Sequence, residues 1–308
     1  MAFQKTLYSL CFAGLAWLSP SPGFSQTDTP FVSLFNGTDL TGWSVKTAGT
    51  TITNFATITD GYIHLESPGG AGWLWLFSDK PYTDFVLKLK FTAPSGNQGN
   101  SGVNFRSSWD PADQGGFLNG PQVDIYTFNN WRTGCILDMT KGSQKWFFPS
   151  LPDWNIAKSN VTTPAGWKFN YFPDWNDLEI QVKGMNVKTI VNGVAFANFN
   201  GEGILNDALH KAKNVGSTGY IALQAHAEEK VVINFKDIKI ADLSSVSTRP
   251  AARPALRGGA FQAFDEPAEI YSLDGSRASL SAKGAAGSGT GLFIVKQAGA
   301  RRLQAVIR

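Results

Sequence analysis

An all-β fold is what this sequence predicts, and three observations predict it. Short apolar runs alternate with polar residues along most of the chain, the period of a half-buried strand. Asn-Gly and Asp-Gly pairs and a total of 32 Gly and 15 Pro punctuate those runs. Long helical periodicity is missing, and only Asn206 to Lys213 offers a helix, two turns at most. With 308 residues, 43% of them hydrophobic and 17% charged, the chain can bury a sizeable core and does not read as disordered.

The elements follow in order. Lys5, the apolar stretch Leu7 to Leu18 and the small residues Gly23 and Ser25 have the form of a signal peptide over residues 1–25. That stretch is short for a membrane span, and no transmembrane segment is expected elsewhere. FVSLFNGTDLTGW gives a strand, an Asn-Gly turn and a Trp closing over the core, and ITNFATITDGYIHLES is a hairpin turning at Asp60-Gly61. Trp73, Trp75 and Phe77 alternate with Leu74 and Leu76, so this strand is apolar on both faces and is expected at the centre of a sheet. In DFVLKLKFTA, Phe85, Leu87, Leu89 and Phe91 point inward while Lys88 and Lys90 face solvent. From Phe128 to about Trp175 the pattern breaks, save for CILDM and one more short strand. So aromatic a loop is either packed or binding. Two or three antiparallel strands with a turn at Asn192-Gly193 follow, then two long closing strands.

Composition narrows the partners. Signal removal leaves one cysteine, Cys135, so no internal disulfide can form; a core thiol is the plain reading and a nucleophile the alternative. The net charge of +3 conceals an asymmetry, because nine Lys or Arg against four Asp or Glu lie from Arg249 onward. The preceding domain is slightly acidic and has no basic stripe, so no nucleic-acid partner is expected. Residues 244–264 read as a Pro/Arg/Ser/Ala linker. No HExxH, CxxC or EF-hand loop occurs; Asp110 and Asp113 with backbone carbonyls are the candidates for calcium, the possible cofactor.

The chain is organised around GNQGNSGVNFRSSWDPADQGGFLNGPQVDIY, Gly96 to Tyr126. Val103 and Phe105 alternate with Asn104 and Arg106, and Val123 and Ile125 with Gln122, Asp124 and Tyr126. Each segment buries its apolar residues and turns amide, guanidinium or carboxylate groups the other way. NSGVNFR and GPQVDIY, then WNDLEIQV, VNG and GYIALQAH…VINFKDIKI, resemble the family of 3-keto-disaccharide hydrolase domains over roughly Phe31 to Leu243. The resemblance implies a concanavalin-like jelly-roll β-sandwich over residues 26–243. It also implies a substrate, an oligosaccharide or glycoside whose ring carries a 3-keto group. One departure stands out: the family's second strand usually has Glu-x-Gln, and this chain has Gln122-Val123-Asp124. Residues 265–308 resemble the C-terminal sorting domains of secreted Gram-negative proteins, which implies secretion machinery or the cell surface as a partner. A secreted, periplasmic or cell-surface location follows. A small β add-on without an export role fits that tail too.

A ketone at C3 acidifies the C2 proton, and the enolate left by its loss can expel the C1 oxygen. Such a site needs a base near C2, a donor or cation at the 3-oxygen and an acid for the leaving oxygen. Arg106 is the candidate cation, its alternative being a structural pair with Asp124. Asp124 or His226 is the candidate base, His226 standing where the family has its LQ-x-H motif. Asn100, Asn104, Gln122, Tyr126 and Gln224 are candidates to bind sugar hydroxyls, as is Ser101. Trp109 and Trp131, with Trp146 and Trp154, are candidates to stack on sugar faces. His64 and His210 read as structural or exposed. A carbohydrate-binding module without catalysis is the alternative function, and an adhesive surface protein a third.

Overall fold

The computed structural model describes residues 29–244, apart from 71, 95–98, 114, 129 and 227–228, and strands between 268 and 307. The expected signal peptide and linker lie outside the described residues, apart from Ser244. The chain divides into two units, Met1–Ser247 and Thr248–Arg308.

The first unit is a jelly-roll sandwich of two antiparallel sheets. Its strands are β1 (Val32–Ser33), β2 (Trp43–Ala48), β3 (Ala56–Thr59), β4 (Tyr62–Pro68), β5 (Trp73–Tyr82), β6 (Phe85–Thr92), β7 (Asn100–Asp110) and β8 (Phe117–Asn119). They continue with β9 (Pro121–Tyr126), β10 (Ile136–Asp138), β11 (Trp146–Phe148), β12 (Asn176–Lys183), β13 (Asn186–Val191), β14 (Val194–Asn200), β15 (Gly219–Ala225) and β16 (Lys230–Asp242). One sheet runs β14-β13-β12-β6-β16-β4-β3, with β1 on β16. The other runs β11-β10-β9-β7-β15-β5-β2, with β8 on β7. The helix α1 (Ala208–Ala212) falls in the stretch that the sequence marks, capped by the Asp207 side chain. Among the described residues no helix is long and apolar enough to cross a membrane. The second unit holds a four-stranded antiparallel sheet, β18-β17-β19-β20, from β17 (Ala268–Ser272), β18 (Arg277–Ala278), β19 (Leu292–Gln297) and β20 (Gln304–Ile307).

Both signalled hairpins form. Asp60-Gly61 and Asn192-Gly193 join β3 to β4 and β13 to β14, all four residues at positive φ, the geometry a two-residue turn requires. Between the sheets, Phe85, Leu87, Leu89 and Phe91 of β6 meet Val103, Phe105, Val123, Ile125 and Leu223 in one core. Burial of such side chains stabilises by about 1.5–3 kcal/mol each. Trp43 closes over this core, its indole donating to the Leu34 carbonyl at 2.8 Å. Cys135 is fully buried in it, and burial pushes its thiol up, far from a reactive thiolate.

β5 is not central: it lies one strand from the edge, between β15 and β2. Its apolar outer face is covered instead by the β7–β8 hairpin, whose Trp109 and Phe117 pack edge-on against Trp75. That second apolar layer, with Phe77, Leu118 and Met139, covers part of the outer face of the sheet. The rest of that face carries the polar residues.

Candidate active site

β9, β7, β15 and β5 lie side by side, and their registers align the outward side chains in rows. One row runs Asp124, Gly102, Gln224, Trp75, and the next runs Gln122, Asn104, Ala222. Gly102 leaves a gap in the first row, and the Gln122 side chain fills it: a Cβ on Gly102 would stand 2.3 Å from Cδ of Gln122. The amide is thus laid between Asp124 and Gln224.

Over this floor opens a pocket of about 620 Å³, the size range of small-ligand sites. Of the residues singled out in the sequence, Asp124, His226, Asn100, Gln122, Tyr126, Gln224, Trp146 and Trp154 line it together. Asp124 and Gln224 are each 1% exposed, and Gln122 is 2% exposed. Both amide atoms of Gln224 and Oε1 of Gln122 have no hydrogen-bond partner among the described residues. Buried polar groups left in that state are costly unless a ligand or solvent meets them. The His226 ring stands edge-on to Trp73, centroids 5.5 Å apart, which fixes its tilt.

Arg106 is not part of the pocket. Between the Asn104–Ala222 and Ser107–Tyr220 pairs, β7 carries two residues where β15 carries one. The extra residue is a bulge, with Arg106 at φ 47°, and it breaks the strict alternation that aims Arg106 along with Asn104. The guanidinium is buried and fully engaged elsewhere. It donates to the carbonyls of Thr83 (2.6 Å), Gly184 (2.6 Å) and Gly216 (2.9 Å) and to Asp84 (2.8 Å). Its structural partner is therefore Asp84 rather than Asp124. Burial lowers it to about 10, the Asp84 carboxylate opposing that change, so it stays charged.

Three further expectations are corrected. Asn104 sits in the floor but is fully buried and does not line the pocket, its row neighbour being Gln122. Past the bulge Trp109 packs against Trp75 and Phe77 and is used up in the second apolar layer. Trp131 lies in the tight turn Asn130–Arg132, where consecutive side chains diverge; Arg132 enters the pocket and Trp131 does not. The donor set proposed for calcium does not fit a cation as it stands. Asp110 receives Lys213 at 3.2 Å and Asp113 receives Lys141, and the described residues contain no cluster of three acidic, His or Cys side chains.

Of the pocket residues unmarked in the sequence, Arg132 and Glu229 add the most chemistry; Asp138 also lines the pocket and is engaged with His210. Arg132 supplies the cation. Its Nε donates to Asp124 Oδ2 at 2.6 Å, and its guanidinium stacks over Tyr126, 3.9 Å from the ring centroid. Burial opposes its charge, but the Asp124 carboxylate prevails and holds Arg132 above its ordinary value. Its Nη1 makes no hydrogen bond among the described residues and remains a donor for a ligand. Glu229 supplies a further carboxylate: Oε1 accepts from Asn100 Nδ2 at 3.0 Å, while the buried Oε2 has no partner among the described residues. Burial and that neighbouring charge push the Tyr126 phenol up, so it stays a hydrogen-bond donor. The signals were thin: an Arg inside an aromatic run without period, and a Glu in the gap between GYIALQAH and VINFKDIKI.

His210 is buried, not exposed. Its Nδ1 meets Asp207 Oδ1 at 2.8 Å and its Nε2 meets Asp138 Oδ2 at 3.2 Å, tying α1 to β10. Among solved structures, a Parabacteroides distasonis protein described as a glycosyl hydrolase is 23% identical, with 69% of this chain and 94% of that one covered and a TM-score of 0.45. A CBM66 carbohydrate-binding module from Bacillus subtilis is 15% identical, with 65% and 95% covered and a TM-score of 0.40. A Bacillus subtilis protein with a galectin-like fold is 11% identical, with 69% and 94% covered and a TM-score of 0.43. No curated protein matches the chain. Residues 30–241 match one family over the whole sandwich, and the chain accordingly belongs to the 3-keto-alpha-glucoside-1,2-lyase-like domain family.

Proposed function

We propose that this carbohydrate-active domain cleaves 3-keto-glycosides in the pocket on its second sheet. The observation that supports this most is the convergence there of an imidazole, three carboxylates, a guanidinium with a spare donor and amides without partners. This is the equipment that elimination next to a ketone requires.

His226 is the base in this reading: it takes the C2 proton, and the electron pair moves into an enolate on the 3-oxygen. Arg132 Nη1 and the Gln122 and Gln224 amides surround the ring where that negative charge grows. The enolate then collapses, re-forming the C3 carbonyl and a C1–C2 double bond and breaking the bond from C1 to the leaving oxygen. Glu229, when protonated, gives that oxygen its proton through Oε2. Water adding to C1, with a proton returned to C2, completes a net hydrolysis in which nothing is oxidised or reduced. Asp124 touches Arg132 through both oxygens and positions the guanidinium rather than acting as base.

Purified protein is expected to release the leaving sugar from a 3-keto-disaccharide. His226→Ala and Glu229→Gln should each lower kcat by about a hundredfold with the thermal midpoint nearly unchanged. Exchange of the C2 proton with deuterated solvent should persist in Glu229→Gln and vanish in His226→Ala. Firm binding with no turnover would instead make the domain a sugar-binding module, a reading that Gln122 in place of the family's Glu favours. A secreted or surface location, and an export role for the second unit, are proposals on the same footing; export with and without residues 248–308 tests them.

A further inference from the structure

Four tryptophans were candidates for sugar contact, and the structure separates them. Trp109 and Trp146 are packed, Trp131 lies off the pocket, and Trp154 lines its rim with 72% of its surface exposed. No aromatic ring or cation stacks on the Trp154 indole among the described residues. An indole carries one of the largest apolar areas of any side chain, so leaving it in water forgoes burial that a loop of this composition could have supplied.

Its backbone is nonetheless held. Trp146 is 2% exposed, and its indole Nε1 donates to the Trp154 carbonyl at 2.9 Å. The Trp146 backbone N–H donates to the Asp153 carbonyl at 3.3 Å, and the Asp153 side chain accepts from the Asn155 N–H at 2.8 Å. A buried tryptophan therefore anchors the backbone of an exposed one at the pocket mouth. A ligand that stacks there has only the indole's own rotamer left to order, the backbone beneath it being held already. The polar groups for one sugar ring lie deeper: Gln122, Asp124 and Gln224 in the floor are 1–2% exposed, and Oε2 of Glu229 is buried.

We infer that Trp154 is the platform of a second subsite, which holds the ring on the leaving side of the scissile bond. The assignment rests on the hydrolase reading for the deep ring only; the indole platform stands on its own geometry. The polar floor takes the oxidised ring with its ketone and hydroxyls. The C–H face of the departing sugar, apolar and flat, lies on the indole at the mouth, from which it can leave first.

The test uses the full chain, with Trp154→Ala and Trp154→Phe, on a 3-keto-disaccharide and on the methyl 3-keto-glycoside of the same ring. Trp154→Ala is expected to lower kcat/KM about tenfold for the disaccharide and less than twofold for the methyl glycoside. Trp154→Phe, which keeps a flat face, should recover most of the loss. Equal losses on both substrates, or none on either, would overturn the subsite. If the wild-type protein turns over neither compound the hydrolase reading fails, and calorimetry decides the subsite with the same pair. A loss of affinity in Trp154→Ala confined to the disaccharide supports it, and any other result, including no binding, overturns it.

Discussion

A single missing side chain sets the floor of the pocket. Gly102 stands between Gln224 and Asp124 in one cross-strand row, and only the absence of a Cβ lets the Gln122 amide lie over it. Gly102→Ala should therefore act by displacing Gln122. It is expected to raise KM about as much as Gln122→Ala, roughly tenfold, and the double variant should be no worse than either single one. Additive losses in steady-state kinetics would mean that the two residues serve the ligand independently. The face on which Gln122, Asp124 and Gln224 stand was legible in the sequence, because the period of two on β9 and β15 is unbroken. Their interleaving over Gly102 was not, since register between strands distant in the chain leaves no local trace.

At the level of elements, the same contrast holds. The Asp60-Gly61 and Asn192-Gly193 hairpins, the alternation of β6 and the short α1 could all be read from local chemistry. Arg106 was misplaced because one extra residue in β7 shifts every later side chain to the other face. Arg132 and Glu229 were missed because neither sits in a periodic segment. The helix α1 shows what a tertiary contact adds to a local signal. It presents His210 to Asp138 and Asp207, with Phe147 against the ring, and no other charged group is in contact with the imidazole among the described residues. Burial disfavours the imidazolium, but the two carboxylates prevail and raise His210 above its ordinary 6.5. A raised value in the folded state adds stability that is fully present below about 6.5 and is lost as pH rises through the folded value. Asp207, held below 3.8 because its hydrogen bonds with His210 outweigh burial, adds stability that is lost as pH falls through its own lowered value. Urea unfolding followed against pH should thus show a fall in stability on the alkaline side of 6.5 that is absent in His210→Gln. An unchanged slope in that variant would assign the fall to other groups.

For the sandwich as a whole, Arg106 acts on the joint between sheets. Thr83 and Asp84 form the turn from β5 to β6, Gly184 lies in the turn from β12 to β13, and Gly216 precedes β15. One guanidinium thereby ties chain segments that belong to both sheets. Arg106→Ala leaves three carbonyls and a carboxylate without their donor and is expected to cost about 3 kcal/mol of unfolding free energy. Arg132→Lys, by contrast, should cost little stability and about a hundredfold in turnover, as the planar fork that meets Asp124 is lost. Equilibrium unfolding and kinetics on the two variants separate these roles. The reverse pattern would return Arg106 to the chemistry.

Arg106 and the pocket also share a pair of strands. β7 and β15 are riveted at one end by the guanidinium, while Asn100 and His226, at the other end, line the pocket. About 20 Å of β-ribbon separates the two ends. β9 and β5 flank this ribbon down to its pocket end, so a shift at the clamp would be carried along paired strands rather than absorbed between them. Loosening the clamp would then blur the alignment of groups that no part of Arg106 ever touches.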